Sequence, residues 1–205
     1  MGATVDDGYI KYTSDRRDGL VPVSVQLDAL NRARTELFDL GLIGVYPNGV
    51  GYGNLSIRAV GDQFAITASA TGATRALQRE QFSLVESFSV EHNRVQSCGP
   101  LPASSESMTH GAIYAANPAV NCVIHIHSRA LFDRLLQQAC PATPADIPYG
   151  TPAMARAVAQ LVNAHPELPV LFVMAGHAEG IIAYGADVAS TQALLLSMFH
   201  RIYAP

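Results

Sequence analysis

The residues best placed to do chemistry are histidines. His125-Ile126-His127 sits in an apolar, β-branched run. In an extended strand, side chains at i and i+2 leave the same face, so two imidazoles project together. Cys122 has the opposite parity and belongs on the other face with Ile124 and Ile126. His177 lies in Gly176-His177-Ala178-Glu179-Gly180, just after the apolar run 170–174. A glycine-flanked turn at a strand end can carry it to the pair. Glu106 falls at the start of a helical segment leading into the HxH strand. Three imidazoles and a carboxylate satisfy tetrahedral Zn²⁺, and exchange of the carboxylate would open a catalytic position. An imidazole set without thiolates also suits Mn²⁺, Co²⁺ or Fe²⁺. His110 shares a helix face with Glu106 at i+4 and could replace one of these ligands; since four candidates already exist, it reads rather as a residue that supports a ligand from behind or packs. The bland reading of each histidine is a core, surface or turn residue.

A second group suits an anion. Ser104 and Ser105 lie at a helix N-terminus, where free N–H groups and the dipole favour phosphate. Ordinary N-capping by serine is the alternative. Gly53-Asn54 and Ser69-Ala70-Thr71-Gly72 add small residues that let backbone N–H groups approach an anion. Other motifs fail. Gly49-Val50-Gly51-Tyr52-Gly53 lacks GxGxxG spacing and precedes a strand where a helix is needed. GxxxxGK[ST], GxSxG and HExxH do not occur.

The elements that position these residues are legible from periodicity. Apolar residues at helical spacing predict a helix over 25–40, behind Ser24 and ahead of Gly41. Runs 54–60 and 63–68, joined at Gly61-Asp62, read as a hairpin, and 82–90 with 94–98 as another. Helices are predicted over 105–116, 128–138, 151–164 and from Asp187 to residue 203. Strands are predicted over 121–127, 170–174 and 180–183. Residues 1–20 read as polar and irregular. The expectation is an α/β chain of the α+β type: a central, mainly antiparallel sheet flanked by helices. It consists of an N-terminal extension (1–24) and a single domain (25–205).

Composition sets limits. At 205 residues, one domain is the better fit to roughly 100–200 residues per domain. A hydrophobic fraction of 49% can build a core, and 15% charged residues argue against a disordered tail. The net charge of −4, without a basic block, excludes nucleic acid and anionic membrane as main partners. Three cysteines without CxxC spacing argue against a disulfide framework and for a reducing compartment. With no apolar leader or membrane-length run visible, the expectation is a cytoplasmic protein.

Taken together, these residues resemble the class II aldolase/adducin family over roughly residues 25–203. The markers are Gly53-Asn54-Leu55-Ser56, Ile66-Thr67 with the loop to Gly72, Ser104-Ser105-Glu106, His125-Ile126-His127, and Gly176-His177 ahead of Gly180 and Gly185. The resemblance implies a mainly antiparallel sheet with helices, and a homotetramer with sites at subunit interfaces. It implies His125, His127 and His177 as zinc ligands. Glu106 becomes the acid/base, able to fill the fourth zinc position. Asn54, Thr71, Gly72, Ser104 and Ser105 become a phosphate cradle.

Two departures stand out. The family's Pro-Ser/Thr-Gly loop is here Ala68-Ser69-Ala70-Thr71-Gly72, two residues longer, so Ser69 and Thr71 compete for the phosphate role. Ala178-Glu179 intervenes before Gly180, which would bring Glu179 to the site. The family's neighbouring-subunit tyrosine has three candidates: Tyr149, Tyr184 and Tyr203. The implied activity is zinc-dependent cleavage of a ketose 1-phosphate to dihydroxyacetone phosphate and an aldehyde, through a zinc-stabilised enediolate. The alternatives are a zinc-dependent sugar-phosphate dehydratase and a non-catalytic adducin-like interaction module. Retention of all three histidines disfavours the module, and retention of Glu106 disfavours an epimerase.

Overall fold

The two predicted hairpins become the middle of an eight-stranded sheet. The computed structural model describes residues 9–203. In chain order the elements are β1 (Thr13–Arg17), α1 (Asp28–Asp39), β2 (Gly44–Val45), β3 (Gly51–Tyr52), β4 (Asn54–Arg58), β5 (Phe64–Thr67), β6 (Phe82–Ser89) and β7 (Arg94–Cys98). There follow α2 (Ser107–Ala116), β8 (Cys122–His127), α3 (Arg129–Gln137), α4 (Pro152–Ala164), β9 (Val170–Val173), β10 (Gly180–Gly185) and α5 (Val188–Tyr203). The sheet order is β1-β7-β6-β5-β4-β8-β10-β9, and β2 pairs with β3 apart from it. Every pair in the large sheet is antiparallel except β1 with β7. The expected mainly antiparallel sheet flanked by helices is what forms.

Strand β8 is central and all six of its residues are buried. Its alternation divides the core. Cys122, Ile124 and Ile126 pack with Leu30 and Leu37 of α1, Leu131 and Leu135 of α3, and Leu195 of α5. Val123, on the other face, packs with Met108 and Ile113 of α2 and Met154 and Val158 of α4. Burying each such side chain is worth about 1.5–3 kcal/mol. Caps fix where the helices start. Ser128 accepts from the Leu131 N–H, and Thr151 accepts from the Met154 N–H with Pro152 at the first helical position.

The irregular reading of residues 1–20 is corrected over Thr13–Arg17, which pairs in parallel with β7. Its sequence, Thr-Ser-Asp-Arg-Arg, is polar on both faces because it is a solvent-facing edge, so no alternation marks it. Asp15 bonds to Arg94 and Arg17 to Glu86. The first helix starts at Asp28, later than expected, because Val21, Val25 and Leu27 enter the core as irregular chain. Among the described residues, no helix is long and apolar enough to cross a membrane.

Candidate metal centre

Three strand ends meet at one place. Asn54, the first residue of β4, lies opposite His125, and Gly180, the first residue of β10, lies opposite His127. Between β9 and β10 the chain turns tightly. The His177 N–H donates to Met174 O, and the Gly180 N–H donates to His177 O. That turn folds His177 back over the HxH pair. One nitrogen from each of His125, His127 and His177 lies within 4.8 Å of the other two, and all three rings are buried. The His127 and His177 Nε2 atoms are 2.8 Å apart. Gly180 is glycine for a steric reason: a Cβ there would stand 2.7 Å from His177 Cδ2 and 3.2 Å from His125 Nε2.

The donor set fits a metal ion. His125 Nε2 is buried and has no hydrogen-bond partner, an arrangement that costs about 1–3 kcal/mol unless something satisfies the atom. Burial, reinforced by the neighbouring imidazoles, holds the His125 pKa well below its usual range. The ring therefore stays neutral, as a ligand must. Tetrahedral Zn²⁺ with Zn–N near 2.0–2.1 Å asks for nitrogens about 3.3 Å apart. The observed spread brackets that spacing. Asn54 Nδ2 lies 3.2 Å from His125 Nδ1, and Tyr46 Oη lies 2.7 Å from His127 Nδ1.

Glu106 is buried at the N-terminal end of α2, with Oε1 4.0 Å from His177 Nδ1. The four expected ligands are thus arranged as three converging imidazoles with the carboxylate at their margin. His110 is not one of the three converging imidazoles, although a charge on it would bear on His125. The His110 Nδ1 bonds to Ser56 Oγ at 2.7 Å, Ser56 Oγ bonds in turn to Tyr114 Oη at 2.8 Å, and burial pushes the imidazole pKa down to about 3.

The imidazoles and Glu106 form the wall of one pocket of about 250 Å³ with Asn54, Thr71, Gly72, Ser104 and Ser105. No Lys or Arg is among the described residues lining it, so an anion there would meet N–H and hydroxyl groups alone. The Thr71 hydroxyl donates to Ala68 O at 2.7 Å, and Thr71 O accepts from Arg34 Nη2 at 2.9 Å. Gly72 packs on backbone: a Cβ would stand 2.3 Å from Gly44 O. Arg34 is buried in α1 and also donates to the carbonyls of Thr74 and Arg75, which holds the 71–75 loop in place. Burial lowers its pKa to about 10, so it remains charged at neutral pH.

Of the three tyrosines, Tyr149 meets the His177 ring edge-on, with centroids 4.3 Å apart. Tyr184 donates to His165 O and packs on Phe172, away from the pocket. The Tyr203 side chain lies outside the described residues. Sequence reasoning missed Tyr9, which lines the pocket, and Lys11, whose ammonium stands 3.7 Å over the Tyr149 ring. It also missed Tyr46. Glu179 had a visible signal, its place between the third histidine and Gly180. Its φ is +69°, a left-handed conformation that costs a non-glycine residue roughly 1–2 kcal/mol. Its carboxylate accepts from Tyr46 Oη at 2.8 Å. Burial, with the charge of Glu179 adding to it, raises the Tyr52 pKa.

A family model described as the class II aldolase and adducin N-terminal domain matches residues 48–200. The chain belongs to that family. Solved structures share its fold at low identity. The L-fuculose-1-phosphate aldolase of Thermus thermophilus is 22% identical, over 86% of this chain and 96% of that one, with a TM-score of 0.59. The sugar-phosphate aldolase of Thermotoga maritima is 16% identical, over 85% and 91%, with a TM-score of 0.62. YgbL of Klebsiella pneumoniae, a putative aldolase/epimerase/decarboxylase, is 19% identical, over 84% of each chain, with a TM-score of 0.60. No curated protein matches significantly. In this member of the class II aldolase and adducin family, three histidines and a glutamate line one pocket.

Proposed function

We propose that this family member is a Zn²⁺-dependent aldolase, a lyase that cleaves a ketose 1-phosphate to dihydroxyacetone phosphate and an aldehyde. The observation that carries the reading is Glu106, a buried carboxylate at the margin of three converging imidazoles in one pocket. His125, His127 and His177 would hold the ion. When bound, it supplies Lewis-acid stabilisation of the negative charge that develops beside a carbonyl. Ser104 and Ser105, just ahead of the Glu106 cap of α2, with Asn54, Thr71 and Gly72 across the pocket, would hold and orient the phosphate. Glu106 would return a proton to the donor carbon in the cleavage direction and remove it in the condensation direction. Such proton transfer is worth about 10²–10⁴-fold. The family resemblance extends the reading to a homotetramer, and the cysteine usage extends it to a reducing compartment such as the cytoplasm.

The test is proton exchange. Zinc-loaded protein is incubated with dihydroxyacetone phosphate in D₂O, and loss of the C3 proton signal is followed by NMR. Exchange that disappears in Glu106→Gln, with zinc retained, is the expected result. Exchange that persists in that variant removes Glu106 from the acid/base role. No exchange by zinc-loaded wild type overturns the phosphorylated donor.

A further inference from the structure

His127 stands apart from the other two histidines in what lies behind it. Its Nδ1 is 2.7 Å from Tyr46 Oη, and Tyr46 Oη donates to Glu179 Oε2 at 2.8 Å. A phenol has one proton, and an ionised carboxylate can only accept. With that proton committed to Glu179, Tyr46 Oη can only accept from His127. The His127 proton therefore sits on Nδ1, and Nε2 turns a lone pair toward the cluster. The phenol alone could instead donate to Nδ1. That would place the imidazole proton on Nε2, the nitrogen that faces His177 at 2.8 Å.

Glu179 is held in this place by backbone as well as side chain. It adopts φ +69°, and its carbonyl accepts from the Ser128 N–H at 3.1 Å, one residue past His127. Tyr46 is braced in turn by the Tyr52 ring, with centroids 4.4 Å apart. Neither Tyr46 nor Glu179 lines the pocket, so both act from behind the ligand.

We infer that Glu179 and Tyr46 are positioning residues for the metal centre, forming a relay that fixes the His127 tautomer and raises the affinity of its Nε2 for the ion. The inference rests on the reading of the three histidines as a metal site. Partners of this kind behind a ligating imidazole are typically worth about 10–100-fold in metal affinity.

The test measures Zn²⁺ affinity by chelator competition and the visible absorption of the Co²⁺ form, in wild type, Glu179→Ala, Tyr46→Phe and the double variant. Both single variants are expected to bind one ion about 10–100-fold more weakly, with an altered Co²⁺ spectrum. The double variant is expected to lose no more than the worse single one, because either change breaks the same relay. The thermal unfolding of the metal-free proteins is compared alongside, and a Glu179→Gly variant tests whether the left-handed backbone alone matters. Single variants that bind Zn²⁺ as tightly as wild type, losses that multiply in the double variant, or an affinity restored by Glu179→Gly overturn the relay while leaving the metal site standing. A wild-type protein that binds no Zn²⁺ or Co²⁺ overturns the metal site itself.

Discussion

His127 and His177 are fifty residues apart in sequence, yet their Nε2 atoms face each other at 2.8 Å inside a buried pocket. With the His127 proton held on Nδ1, His127 Nε2 offers a lone pair, and an ion shared with His125 Nε2 satisfies all three rings. A ligand present at 1,000 times its dissociation constant stabilises the folded state by about 4 kcal/mol. At about 2–4 °C per kcal/mol for a chain of this size, saturating Zn²⁺ is expected to raise Tm by roughly 8–16 °C over protein stripped with EDTA. Scanning calorimetry of both forms checks this. Coincident melting curves would show that the imidazoles only bond to one another.

Gly180 offers a cleaner lesion than removal of a ligand. In Gly180→Ala the new methyl group would stand 2.7 Å from His177 Cδ2 and 3.2 Å from His125 Nε2. Both ligands must give way, and so must the His177 carbonyl, 3.1 Å from the new methyl group, while Gly180 itself lies in the strand pair with His127. Zinc affinity is expected to fall by at least about tenfold, with the metal-free Tm shifted by only a few degrees. Titration calorimetry with Zn²⁺ reads the first quantity and far-UV melting the second.

Much of this centre is legible in the sequence because its chemistry rides on period. His125 and His127 share a face because strand β8 alternates, and their buried surroundings follow from the apolar residues between and before them. His177 is legible because glycines bracket it after an apolar strand. Glu106 is legible because serines precede it at a helix start. What is not legible depends on contacts that only the tertiary fold creates. Tyr46 sits ahead of Pro47-Asn48-Gly49, where turn residues give no hint that its hydroxyl reaches His127. Glu179 is conspicuous in sequence, but its direction depends on a positive φ that glutamate rarely adopts. Strand β1 escapes because a polar edge carries no alternation. Arg34 is buried only because a distant loop turns three carbonyls toward it.

Arg34 yields a stability prediction with a functional consequence. Arg34→Met keeps the apolar stem but leaves the carbonyls of Thr71, Thr74 and Arg75 without their donor. A loss of about 2–4 kcal/mol is expected from these buried, charge-assisted bonds. Arg34→Lys recovers only part of it, because an ammonium cannot span the same acceptors as a planar guanidinium. Urea denaturation measures both losses. Hydrogen exchange of residues 69–75 is expected to quicken selectively. If the loss is spread evenly over the chain, the loop-holding role is wrong.

His110 makes stability depend on pH in a direction that can be worked out. Its imidazole is buried between Ser56 and Tyr114, neither of which is charged at neutral or acid pH, and its folded pKa is pushed down to about 3. In the unfolded chain a histidine titrates near 6.5. As pH falls below that value the unfolded state takes up a proton that the folded state refuses, so stability is full above pH 6.5 and is lost progressively toward pH 3. Between pH 7 and pH 5 the loss from this residue is about 2 kcal/mol. Metal-free wild type and His110→Asn are compared by denaturant unfolding at both values, which cancels the contribution of histidines that do not interact with His110; His125, which feels the charge on His110, is followed separately by NMR titration. Asn places a polar nitrogen close to where Nδ1 meets Ser56 but carries no titratable proton. Whatever the variant loses at pH 7, the gap between the two proteins is expected to narrow by about 2 kcal/mol at pH 5. A gap that stays constant would mean that His110 is protonated as readily in the fold as in the open chain, and that its burial is not what the structure makes it.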